Sequence, residues 1–113
     1  MAGTDTRPYK ENFMPEFKKA ATKSEVQPGT GKTVNVDGQA IALFNVEGSI
    51  YAISNTCAHR GGPLGEGDLA GKEVTCPWHG WTYDVTNGNA TKTAASVKSY
   101  PVKVEGEDVL VSV

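Results

Sequence analysis

This 113-residue sequence has no long apolar run, almost no helical periodicity, two arginines, two cysteines and two histidines. The first shortage sets aside a membrane-spanning helix, which needs about 20 consecutive apolar residues. The amino-terminal residues 1–23 also lack an apolar core followed by small residues, so no export signal is read and a soluble, cytoplasmic protein is expected. Arg7 and Arg60 stand alone in a chain of net charge −2 with no basic run, which gives no electrostatic footprint for nucleic acid. Without an export signal, Cys57 and Cys76 are expected to stay reduced or to ligate rather than to pair as a disulfide. A chain of this length buries a core without such a staple.

Residues 1–15 are polar, contain Pro8 and Pro15 and show no period, which predicts a loose arm ahead of one domain over 16–113. Tyr9, Phe13 and Phe17 are expected to pack at an edge of that domain. From Phe17 onward the pattern is of short strands and turns. Val34 and Val36 alternate with Thr33 and Asn35, whereas residues 39–46 are apolar on both faces and predict a central strand. Glu47-Gly48 has the composition of a hairpin turn into residues 49–53. Further strands are expected at 73–76 and 81–85. At the end of the chain Tyr100, Val102 and Val104 alternate as one strand, which turns at Glu105-Gly106 into Val109, Val111 and Val113. The fold class is therefore all-β, an antiparallel sandwich or small barrel.

The scarce residues fall into two short pairs, Cys57-Ala58-His59 and Cys76-Pro77-Trp78-His79. Arg60-Gly61-Gly62-Pro63-Leu64-Gly65 follows the first pair and Gly80 the second, so each lies in a loop able to bring its backbone close to a bulky inorganic group. Two thiolates and two imidazoles suit either zinc or an iron–sulfur cluster, and ligand type alone does not separate them. Zinc modules usually place like ligands together, whereas each pair here mixes one cysteine with one histidine. Mixed pairs suit a two-centre object in which each loop gives its thiolate to one metal and its imidazole to the other.

Cys57-Ala58-His59-Arg60-Gly61-Gly62 and Cys76-Pro77-Trp78-His79-Gly80-Trp81 resemble the two ligand boxes of a Rieske-type [2Fe–2S] ferredoxin. The resemblance runs from Phe17 to Val113 and includes Tyr83-Asp84 and Tyr100-Pro101-Val102. It implies a Rieske-like antiparallel sandwich with the cluster loops at one end. It also implies one [2Fe–2S] cluster per chain, with Cys57 and Cys76 on one iron, His59 and His79 on the other, and Arg60, Trp78, Trp81 and Tyr83 around them. Neutral imidazoles leave the oxidised cluster formally uncharged, whereas four thiolates leave two negative charges. Removing two unit charges at ~5 Å, with an effective dielectric of ~20, eases reduction by roughly 7 kcal/mol. That is on the order of 0.3 V for a one-electron couple, the sign and size of the gap between Rieske and plant-type centres.

High-potential members of that family carry a disulfide and a serine at the positions of Gly62, Trp78 and Trp81. The resemblance is thus to the low-potential, soluble branch, with an expected potential of about −150 mV. Tyr83 matches the family's tyrosine beside a ligating sulfur, and is also read as an ordinary core aromatic. The ligand histidines imply a potential that falls as pH rises. Arg60, Pro63, Leu64, Trp78 and Trp81 are expected to shield the cluster, to form a docking patch, or both. Residues 93–96 stand where the family often has a proline-bearing covering loop, and have no proline.

A Rieske oxygenase needs a second iron on two histidines and a carboxylate, and no histidine is left over for one. There is also no nucleophile–base pair and no phosphate-binding glycine loop. The leading reading is a one-electron carrier, monomeric when free, between a reductase and a terminal acceptor such as a ring-hydroxylating oxygenase. Two others are a non-catalytic Rieske small subunit of a nitrite-reductase-like complex and a zinc-stabilised interaction module. Glu66, Asp68 and Glu73, and Lys10, Lys18, Lys19 and Lys23, are read as solvated faces.

Overall fold

A computed structural model describes residues 17–58, 61–78 and 80–112. The expected arm with Tyr9 and Phe13, together with His59, Arg60, His79 and Val113, lies outside the described residues.

Among those residues the chain forms ten strands: β1 Phe17–Thr22, β2 Gly31–Val36, β3 Gln39–Val46, β4 Ser49–Ser54, β5 Asp68–Ala70, β6 Glu73–Thr75, β7 Thr82–Asp84, β8 Ser99–Tyr100, β9 Val102–Glu105 and β10 Asp108–Ser112. They make three antiparallel sheets, ordered β1-β10-β9, β2-β3-β4-β8 and β5-β6-β7.

Turn chemistry sets the register of the middle sheet. Asp37-Gly38 and Glu47-Gly48 all have positive φ, the conformation whose twist matches the flanking strands of a two-residue hairpin. Asn35 and Asn45, each three residues before its glycine, accept the Gly38 and Gly48 N–H through Oδ1 at 3.0 and 2.8 Å.

The double-sided apolar run of β3 has a direct consequence. Ile41 and Leu43 join an aliphatic core with Val26, Val36, Val109 and Val111, while Ala42 and Phe44 join a second core with Leu64, Tyr83, Cys57 and Cys76. Successive side chains of a strand point to opposite faces, so β3 and β4 form the wall between a purely structural core and the one that contains both thiols.

Two readings of the strands change. Tyr100, Val102 and Val104 do not share one strand: β8 pairs with β4 and β9 with β10. Pro101 lies between them with no N–H for a ladder, and its carbonyl accepts the Ser112 N–H at 3.1 Å. β5 was not anticipated, because Asp68-Leu69-Ala70 has one large apolar residue and no visible period.

Candidate metal centre

The two cysteine loops repeat one backbone design. The Cys57 N–H donates to the Gly62 carbonyl at 2.9 Å and the Gly61 N–H to the Cys57 carbonyl at 2.8 Å. In the second loop the Cys76 N–H donates to the Trp81 carbonyl at 2.7 Å and the Gly80 N–H to the Cys76 carbonyl at 3.1 Å. The offsets from each cysteine are the same, five residues and then four. The glycine four residues on has φ +76° in both loops, a left-handed conformation that costs a residue with a Cβ about 1–2 kcal/mol.

The supports beneath the tips differ. The second loop closes a regular hairpin in which β6 and β7 pair Thr75 with Thr82, Val74 with Tyr83 and Glu73 with Asp84. The first has only the bridge between Thr56 and Pro63, since Pro63 has no N–H for a ladder. Asn55 closes its base instead. The Asn55 carbonyl accepts the Leu64 N–H at 2.8 Å, and Asn55 Oδ1 accepts the Gly65 N–H at 2.7 Å and the Thr33 hydroxyl at 3.1 Å.

Both thiols are buried and not joined in a disulfide. The Tyr83 hydroxyl, itself fully buried, accepts the Ala58 N–H at 3.1 Å and lies in hydrogen-bond contact with Cys57 Sγ at 3.3 Å; toward a Cys57 thiolate, which has no proton, the phenol is the donor. Burial, with the Cys57 hydrogen bond adding to it, pushes the Tyr83 phenol up to about 12, although the Ala58 N–H acts in the opposite direction. The phenol therefore stays protonated at neutral pH, and Tyr83 is at once a core aromatic and a sulfur partner.

Cys76 is enclosed by Gly62. A Cβ at position 62 would stand 2.7 Å from Cys76 Sγ and 3.1 Å from Trp78 Cγ, so the first loop reaches the second only because residue 62 has no side chain. Trp78 covers this contact with one edge of its indole and remains 56% exposed. Ala58, Gly61, Pro77 and Gly80 of the same two loops are also exposed, so the exposed loop residues among those described are uncharged. Leu64 is fully buried and takes no part in that surface. Trp81 is half-buried and contributes its carbonyl to the second loop. Beside Trp81, on the side of residues 93–96, lies a cavity of about 220 Å³ lined by Gly80, Trp81, Thr82, Ala90, Lys92 and Thr93.

Of the residues singled out from sequence, the structure brings Cys57, Cys76, Tyr83 and Trp81 into one cluster, with Trp78 beside Gly62 at its edge, while His59, His79 and Arg60 fall outside the described residues. Asn55, Gly62 and Thr33 as structural partners of these loops were not anticipated. The pair Gly61-Gly62 was the available signal for the close approach; nothing local marks Asn55 or Thr33.

Residues 16–108 match the model of the Rieske [2Fe-2S] domain family. The chain is 39% identical over 89 residues to the ferredoxin component of a naphthalene 1,2-dioxygenase system of Pseudomonas aeruginosa, covering 77% of this chain and 86% of that protein. It is 38% identical over 98 residues to the biphenyl dioxygenase ferredoxin subunit of Pseudomonas sp. (strain KKS102), with coverage of 84% and 90%. Among solved structures it resembles the ferredoxin of carbazole 1,9a-dioxygenase from Nocardioides aromaticivorans IC177, with TM-score 0.80, 32% identity and coverage of 85% and 96%. It also resembles a chain in a complex of reduced oxygenase and oxidized ferredoxin in carbazole 1,9a-dioxygenase, with TM-score 0.78, 31% identity and coverage of 85% and 92%.

Proposed function

This chain belongs to the family of Rieske [2Fe–2S] domains, and from that premise we propose that Cys57 and Cys76 hold one iron of its cluster while His59 and His79 hold the other. The chain is an electron-transfer protein of the ferredoxin type with a Rieske-type [2Fe–2S] cluster. The observation that carries the assignment of the two cysteines is the repeated loop, which sets each buried thiol at the same position of the same hydrogen-bonded turn; His59 and His79 are assigned from the family premise and their places in the two loops. The donor set suits the group. Two thiols occupy one core with a phenol beside one sulfur, and any side chain at position 62 would crowd the other.

When bound there, the cluster accepts and releases one electron at a time. The protein sets the conditions for this exchange. Tyr83 donates a hydrogen bond to Cys57 Sγ, which favours the more negative, reduced state. Gly62 and the inner edge of Trp78 pack over Cys76 and keep water from it. Among the described residues, the exposed rim positions Ala58, Gly61, Pro77, Trp78 and Gly80 are uncharged, so they add no charge to be desolvated when a partner protein docks.

We assign the donor as a reductase and the acceptor as the terminal component of a ring-hydroxylating oxygenase, with the exchange in the cytoplasm. Support comes from relatives that are ferredoxin components of naphthalene, biphenyl and 2,4-dinitrotoluene dioxygenase systems. Further support comes from the solved complex of a related ferredoxin with its oxygenase. Stopped-flow mixing of the reduced protein with an oxidised ring-hydroxylating oxygenase component tests the assignment. Reoxidation within the oxygenase turnover time is expected; an intact reduced protein that is not reoxidised by any such component would contradict it.

A further inference from the structure

Asn55 is a buried polar residue at the end of β4, two residues before Cys57. Its backbone is anchored below, where the Asn55 N–H donates to the Ala40 carbonyl at 3.0 Å, and above, where its carbonyl accepts the Leu64 N–H at 2.8 Å. Its side chain does what a backbone ladder does in the other loop. Oδ1 accepts the Gly65 N–H at 2.7 Å, and Thr33 Oγ1 from β2 donates to the same oxygen at 3.1 Å. Asn55 thus ties residues 64 and 65 to the strand that enters the loop, and Thr33 fixes its rotamer. The fit is close: a Cβ on Gly65 would overlap Thr33 Oγ1 and stand 2.9 Å from Asn55 Oδ1.

We infer that Asn55 is the positioning residue of the first ligand loop, with Thr33 as its lock, and that together they set where Cys57 is presented. This rests on the ligand assignment above. A one-residue change of register or tilt at the base of a loop displaces everything at its tip. The second loop has no need of such a device, because β6 and β7 run in register up to Thr75 and Thr82.

Asn45 supplies a matched control. It is also a buried asparagine, donating through Nδ2 to the Val26 carbonyl at 2.8 Å and accepting the Gly48 N–H at 2.8 Å. Its contacts lie at the β3–β4 turn and the segment after β1, away from both cysteine loops.

The test compares Asn55→Ala, Asn55→Asp, Thr33→Val and Asn45→Ala in the full chain. Three quantities are read: the electron paramagnetic resonance line shape of the reduced cluster, the rate of iron loss to a chelator, and the melting temperature. Asn55→Ala should shift or broaden the resonance and speed iron loss about tenfold, since a buried N–H loses its acceptor. Asn55→Asp keeps an acceptor for both donors and should restore line shape and iron retention. Thr33→Val should speed iron loss about threefold while the protein stays folded, which keeps the inference testable if Asn55→Ala does not fold. Asn45→Ala should lower the melting temperature with the resonance unchanged. An unchanged signal and iron-loss rate in both Asn55→Ala and Thr33→Val would overturn the inference, and so would an Asn45→Ala resonance altered as much as that of Asn55→Ala. A wild-type protein without a mixed thiolate–imidazole cluster would instead overturn the ligand assignment beneath it.

Discussion

The two cysteine loops have the same tip and different foundations. Each tip holds its cysteine with one inward N–H and one inward carbonyl and turns at a glycine of φ +76°. Below that, the second loop stands on the paired strands β6 and β7, while the first stands on the Thr56–Pro63 bridge and the Asn55 side chain. The difference teaches that a short sequence motif specifies the turn presenting a cysteine, whereas the stiffness beneath it comes from whatever the surrounding chain supplies. It also divides labour between the sulfurs. Cys57 has the hydrogen bond from Tyr83, and Cys76 has the steric cover of Gly62 and Trp78.

The comparison is broken most completely at the two cysteines. Cys57→Ser or Cys76→Ser should each abolish the cluster, seen as loss of visible absorption and of stoichiometric iron and sulfide; retention of a full cluster in either variant would show that the loops are not equivalent. Gly62→Ala probes the contact between the loops. A Cβ 2.7 Å from Cys76 Sγ should cost about 1–3 kcal/mol as overpacking, measured by denaturant unfolding of the loaded protein.

Tyr83→Phe tests the asymmetry between the sulfurs. Removing a hydrogen bond worth about 1.5–3 kcal/mol to a charged acceptor should lower the reduction potential by at most roughly 60–130 mV in a one-electron couple. An unchanged potential in voltammetry would remove the electronic role assigned to this contact. The smallest effect tests the sameness of the tips. Gly61→Ala and Gly80→Ala meet no atom closer than 3.7 Å, so each should cost only the left-handed backbone term of about 1–2 kcal/mol. The two losses should agree with each other in thermal unfolding.

Much of this was legible in the sequence, and the reasons are specific. β3 could be read as a central strand because residues 39–46 are apolar at both parities, and it does divide two cores. The two cysteine loops were legible because scarce residue types clustered beside glycines. The strand containing Tyr100 and Val104 was misread because alternation carries across Pro101 while hydrogen bonding does not. Asn55 was invisible for a different reason. Its partners Gly65 and Thr33 are 10 and 22 residues away in sequence, and an asparagine at a strand end looks like any polar residue there. Local motifs report the tips; long-range side-chain contacts, which make the first foundation, leave no local trace.

The account's central claim is mixed ligation by the two loops, one thiolate and one imidazole from each. Pulsed electron paramagnetic resonance of the reduced protein, labelled with ¹⁵N-histidine and assayed for iron and sulfide, addresses it most directly. The account predicts one [2Fe–2S] cluster per chain coupled to two histidine nitrogens, at a potential of about −150 mV. No histidine coupling, stoichiometric zinc in place of iron, or a potential above about +100 mV would contradict it.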